Sequence, residues 1–190
     1  MHSVASKILD FWFKESESIQ WFKKDIEYDS LIKKKFINDH NAAINGDYKN
    51  WKEHPYESLA FIILLDQFSR NIYRNNPRSF KYDPISLDFC KNGLNKLFES
   101  KLKTNDQRLF FILPLIHCEN INEQNLAIKI LDNQFKNTTK YKEISKFFRR
   151  HQEIIEKFGR FPHRNKVLQR KNTKVENEYL NSTHHGFFNI

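Results

Sequence analysis

The chain has 190 residues, 39% of them hydrophobic and 15% aromatic, too much core material for a disordered protein. Only 4 Gly and 5 Pro argue against a turn-rich sandwich or barrel, 2 Cys exclude a disulfide framework, and no apolar run reaches the ~18 residues of a membrane span. The formal charge of +9 admits nucleic acid as a partner, but the lysines are scattered and draw no continuous basic stripe, so compositional bias accounts for it better.

In chain order, the first predicted helix covers about 3–14, with Ile8, Leu9, Phe11, Trp12 and Phe13 apolar and Ser3 as its cap, followed by an aromatic plug at Trp21 and Phe22. The second runs from about Asp25 to Asn45 and stops at Gly46. Pro55 opens the third, about 56–74, because a first-turn proline loses no helical hydrogen bond. Asp83 as cap and Pro84 as first residue open the fourth, which extends to about Leu102. Thr104 and Gln107 form a capping box for the fifth, which Pro114 is expected to kink or break. Asn122 opens the sixth, and Thr138 or Thr139 opens the seventh, which ends before Gly159. An irregular stretch, "GRFPHRN", and a short turn near 165–170 precede a last helix capped by Thr173 and Glu176. The tail, 183–190, either docks its aromatics or frays. The fold class is all-α: about eight helices with short loops, hence antiparallel neighbours in a single domain over 1–190.

The third helix poses the functional question. "LAFIILL", 59–65, is apolar all round, yet Gln67, Arg70, Asn71 and Arg74 follow at i, i+3, i+4 and i+7 as one polar stripe. Asp66 lies at i, i+4 to Arg70. A charge leaving a buried helix must be paired or face a wet cavity, so the stripe is either an internal clip or the wall of a pocket. His151 shares a face with Phe147, Ile154, Ile155 and Phe158, and His117 aligns with Phe110 and Leu113. One such histidine is usually a satisfied core residue; two of them beside a polar stripe favour a site. Of 9 Arg, 3 lie in 70–78 and 5 in 149–170, among them Arg160, Arg164 and Arg170. In a lysine-preferring chain, clustered arginines indicate bidentate grip on carboxylates or phosphates, of a ligand or of the protein itself. His117 and Glu119 are two residues apart on a helix and share no ligand direction, and HExxH, CxxC, Walker and GxGxxG patterns are missing, so neither metal nor cofactor is expected. Cys118 beside His117 is a weak nucleophile pair, since adjacent helical side chains diverge.

The segments "ILDFWF", "LDQFSRNIYR", "SFKYD", "FFILPLIHCE" and "FGRFPHRN", in this order, resemble a bacterial family catalogued as domain of unknown function 924, over about 8–182. The resemblance implies a tetratricopeptide-like fold of stacked helix pairs and no particular activity. Its motif positions fall on Asp66, Gln67, Arg70, Asn71, Arg74, Asp83, His117, Glu119, His151, Arg160, His163, Arg164, Asn165 and Arg170. This chain departs from the pattern at Ser69 (often Pro), Cys118 (often Ser), Gln169 (usually Gly) and 171–173, "KNT" for "ST".

Three functions compete. A binding module would use Gln67, Arg70, Asn71, Arg74, Arg160, His163, Arg164, Asn165 and Arg170 to hold an anionic small molecule or acidic peptide. An enzyme acting on a phosphate- or carboxylate-bearing molecule would use His117 or His151 as acid or base, oriented by Glu119 or Asp66. RNA binding through the basic surface ranks third. No membrane partner is expected. The cysteine usage, and an N-terminus without a basic segment leading into an apolar one, predict a cytoplasmic protein.

Overall fold

The computed structural model describes residues 2–182; the expectation for the tail at 183–190 lies outside them. Among the described residues the regular structure is helical, without strands. The chain divides into two compact units, the first ending at Pro114 and the second starting at Leu115.

In the first unit, α1 (Ser3–Asp10) passes into a π-helical turn over Phe11–Glu15. Its cap is His2, whose Nδ1 accepts from the Val4 N–H, and not Ser3. Helix α2 (Ile26–Ile44) starts where the Asp25 carboxylate accepts from the Glu27 and Tyr28 N–H groups. Its buried residues, Tyr28, Asp29, Ile32, Phe36, His40 and Ala43, form a helical stripe that carries two polar members inward. Pro55 is the first residue of α3 (Pro55–Ile62), which continues through a π-helical turn, Ile63–Gln67, into α4 (Phe68–Ile72). Asp66 and Gln67 are both buried in this turn, which continues the all-round burial of residues 59–65. Helices α5 (Arg78–Lys81), α6 (Asp83–Asn95) and α7 (Phe98–Lys101) follow. Asp83 opens α6 from its first turn rather than as the cap, and α6 stops short of Leu102 because Leu97 takes a left-handed conformation, φ 56°.

Rings of Trp12, Phe36, Phe68 and Phe110 meet at centroid distances of 4.7–5.5 Å and are fully buried. Each contributes roughly 1.5–3 kcal/mol of burial, plus favourable edge-to-face geometry. Trp21, the expected plug, lies 5.0 Å from the Phe110 ring and donates Nε1–H to the Trp12 carbonyl at 2.9 Å. Gly93 lets α6 pass the Phe111 ring, since a Cβ there would meet Phe111 Cζ at 2.4 Å.

Helix α8 (Asn105–His117) starts with the expected reciprocal Thr104–Gln107 box and runs through Pro114 without breaking. A proline costs a helix interior about 3 kcal/mol. Phe110, Phe111, Ile112, Leu113, Leu115 and Ile116 are each 2% exposed or less, and their burial outweighs that cost.

In the second unit, α9 (Ile121–Gln134) is capped by Asn120, which accepts from the Asn122 N–H, two residues before the expected opening at Asn122. Helix α10 (Tyr141–Phe158) begins at Lys140 with no side-chain cap, because Thr138 Oγ1 donates back to the Phe135 carbonyl. Gln152 pairs with Asn125 at 2.7 Å and Arg149 with Asp132 at 2.8 Å, so late α10 meets early α9 and the two run antiparallel. Gly159 ends α10 in the left-handed region, φ 68°. Helix α11 (Lys174–Asn181) carries the expected Thr173–Glu176 box. Ile154, Ile155 and Phe161 form the core, with Ile121, Phe158 and Tyr179 against it.

Candidate functional site

The stripe of the first unit is tied to carboxylates of its own unit. Arg70 reaches the Asp66 backbone carbonyl, lies 3.4 Å from the Asp66 carboxylate and grips Asp83 with both nitrogens at 3.1 Å. Burial disfavours its charge, but Asp66 and Asp83 outweigh that and hold its pKa above the ordinary arginine value. Gln67 donates to Asp66 at 2.5 Å. Asn71 donates to Asp29 at 2.8 Å, and Arg74 closes a two-pronged contact with the same carboxylate. The geometry therefore makes Gln67, Arg70, Asn71 and Arg74 an internal clip joining α2, the π turn, α4 and α6. Asp29, the anchor for two of them, was not singled out from the sequence, although its phase with Ile32, Phe36 and His40 was the available signal.

His40 was missed in the same way. It is fully buried on α2, with Nε2 2.8 Å from Ser69 Oγ and its ring edge-on to Tyr73 and Tyr82. Burial first, and the Arg78 charge second, push its pKa down to about 4.

In the second unit the residues of "GRFPHRN" divide into scaffold and candidate chemistry. Glu119, just beyond α8, accepts the Phe161 N–H at 2.8 Å and both Arg170 nitrogens at 2.6 and 2.9 Å. Arg170 also donates to the Phe161 carbonyl at 3.0 Å and to Asn165 Oδ1 at 2.8 Å. Burial raises the Glu119 carboxyl pKa; hydrogen bonds from Arg170 and the Phe161 N–H, with the Arg164 charge, more than reverse this. Arg160 grips Glu176 at 2.6 and 2.8 Å, which lowers the Glu176 carboxyl to about 2, chiefly through that hydrogen bond. Thus Glu119, Arg160, Asn165 and Arg170 hold the loop in shape. Gln169 completes it in the left-handed region, φ 55°, at the position where the resemblance has Gly.

Held by this frame, the Phe161 ring gathers the remaining candidates. The Arg164 guanidinium lies 4.5 Å from its centroid, His163 at 5.4 Å and His151 at 5.6 Å; His117 lies 6.3 Å from His151. His151 and Arg164 are buried, at 4% and 7% exposure. His151 Nδ1 lies 2.9 Å from the Phe147 carbonyl, which can only accept, so Nδ1 carries the proton. Burial above all, then His117, Arg164 and His163, hold its pKa well below the ordinary value, with the Phe147 carbonyl opposing. The neutral ring therefore presents Nε2 as a lone pair. This cluster offers positive charge, donors and one base in a partly dry setting. A separate groove of about 510 Å³, lined by Ile154, Phe158, Val175, Tyr179, Arg150 and Lys157 among others, lies between α10 and α11 and contains none of the catalytic or ligand-binding candidates.

Among the described residues, no group of three or more His, Cys, Asp or Glu has an arrangement that could hold a metal ion, and no helix is long and apolar enough to cross a membrane.

Two compact helical units, each laced by arginine–carboxylate contacts between helices and loops, define the class of protein. A family model described as bacterial protein of unknown function (DUF924) matches residues 8–184, and the chain belongs to that family. It is similar to a solved structure, a protein of unknown function, ATU0120, from Agrobacterium tumefaciens: 34% identity, 94% of this chain and 97% of that one covered, TM-score 0.85. Among curated proteins there is no match.

Proposed function

We propose that the protein is a binding module whose second unit takes a carboxylate- or phosphate-bearing ligand, a small molecule or an acidic peptide side chain, at His117, His151, His163 and Arg164. The observation that carries the reading is the convergence of two imidazoles, His151 and His163, and the Arg164 guanidinium on Phe161, with His117 adjoining His151, in a loop that Glu119 and Arg170 lock. Such a frame limits the ordering cost of binding. A thermal-shift screen of phosphorylated and carboxylated metabolites tests it. At a hundredfold excess over Kd, a ligand adds about 2.7 kcal/mol, a rise of about 5–10 °C in a chain of this size. Arg164→Gln should abolish that rise, measured against the variant's own ligand-free melting point; a ligand that still shifts the variant fully would refute this site.

The state of His151 favours one further reading, an enzyme acting on the same ligand class. A buried neutral imidazole with a fixed tautomer suits a general base. In that case His151→Asn keeps ligand binding and loses turnover, whereas a pure binder shows turnover in neither form.

A further inference from the structure

Arg78 differs in its surroundings from the arginines of the clip. It is exposed, and its guanidinium lies over the Tyr73 ring, 4.1 Å from the centroid, the closest cation–ring approach among those described. Hydrogen bonding to the Tyr82 hydroxyl holds its pKa above the ordinary arginine value, with burial opposing. Lys81, one turn later on α5, places its ammonium 5.9 Å from the Tyr82 ring. The nearest acidic neighbour in sequence, Asp83, is gripped by Arg70 through both oxygens.

The backbone under these groups is braced. Asn75 turns through the left-handed region, φ 62°. Asn76 Oδ1 accepts the Arg78 N–H at 3.0 Å, and the Asn76 carbonyl accepts from both the Ser79 N–H at 2.9 Å and the Ser79 hydroxyl at 2.7 Å. Behind the two tyrosines stands His40, edge-on to both at 5.4 and 5.2 Å and fully buried, with no hydrogen-bond partner on Nδ1. A ring packed on each tyrosine limits their movement. Two cations three residues apart, one seated on aromatic carbon, present a fork and a point charge, while Tyr82, the hydrogen-bond partner of Arg78, is itself only 6% exposed. A planar guanidinium stacked on a ring keeps its in-plane N–H groups directed outward, where they match the oxygens of a phosphate.

We propose that Arg78 and Lys81 form a phosphate-binding site on the first unit, recognising a phosphomonoester or a nucleic-acid phosphate. Arg78 supplies the fork and Lys81 the compact charge, while Tyr73, Tyr82 and His40 hold them in place. The inference concerns different residues from those of the proposed ligand site and stands or falls separately.

The test uses the full chain labelled with 3-fluorotyrosine, with the Tyr73 and Tyr82 signals assigned by Tyr73→Phe and Tyr82→Phe. Inorganic phosphate and a short oligouridylate are titrated separately while fluorine NMR follows both signals. The expected result is a saturable shift of the Tyr82 and Tyr73 signals that Arg78→Gln weakens about 10- to 100-fold, Arg78→Lys weakens less, and Arg164→Gln leaves unchanged. A response to phosphate alone assigns a phosphomonoester, and a response to the oligonucleotide alone assigns nucleic acid. If neither titrant moves these signals, or if the shift persists in Arg78→Gln, the proposal is overturned. Should Arg78→Gln fail to fold, Lys81→Gln in the same titration decides, since a shift of undiminished affinity there refutes the site.

Discussion

Arg70→Met isolates the clip of the first unit. The substitution keeps the length of the side chain and removes a cation that lies beside two carboxylates, Asp66 at 0% and Asp83 at 15% side-chain exposure. Withdrawing one partner from a buried ion pair typically costs about 3–5 kcal/mol, because the remaining charge is stranded. At about 2–4 °C per kcal/mol, the melting temperature should fall by roughly 6–20 °C. Lys14→Met provides the internal control. The Lys14–Asp10 pair is shorter, 2.7 Å, but its side chains are 75% and 48% exposed. Its loss should cost about 0.5 kcal/mol or less. Burial, and not distance, thus decides the order. Urea melts read by circular dichroism measure both. Two further results are expected of the variant. Adding Asp66→Asn and Asp83→Asn should recover part of the loss, since neutral amides strand no charge. The deficit should also shrink as pH falls, because protonation removes the stranded buried charge from the variant. A loss below about 1 kcal/mol, or a deficit that grows in acid, would refute the clip.

His40, lowered to about 4 in the folded chain, titrates near 6.5 when unfolded. Between these values the unfolded chain binds the proton and the native state refuses it. Stability therefore declines as pH drops from about 6.5 to about 4, by up to about 3 kcal/mol from this group, and is untouched above about 7. His40→Gln should flatten that limb in urea melts; an identical pH profile would show that the ring is not the source. Gln169→Gly, at φ 55°, removes left-handed strain and should raise the melting temperature by about 2–4 °C; a lower melting temperature would mean that the Gln169 side chain contributes more than its backbone loses.

The all-helical class was legible because few Gly and Pro and long periodic runs leave little alternative, and both capping boxes folded as their spacing predicts. The two π turns were not legible. Helical periodicity assumes one residue per 100°, and a single inserted residue shifts the phase of everything after it, which the spacing of apolar residues in an all-round buried segment does not reveal. Caps were misassigned where the side chain had a stronger partner. Asp83 looked like a cap for α6, but Arg70 takes both of its oxygens.

The site was legible as a list of residues and not as a set of roles, for one physical reason. An arginine fork recognises a carboxylate equally well in a ligand and in the protein, and sequence spacing reveals the internal partner only when it lies on the same helix. Asp66 met that condition for Arg70; Asp29, 45 residues from Arg74, did not. Glu119 likewise reads as a catalytic orienter while its partner Arg170 stands 51 residues away. The surplus of arginine over lysine in 70–78 and 149–170 therefore first records how much folded loop has to be fastened to helix. The ligand-binding roles proposed above rest on the cations whose surroundings are aromatic, Arg78 on Tyr73 and Arg164 on Phe161, because a ring supports a guanidinium from its face and leaves the in-plane donors their directionality.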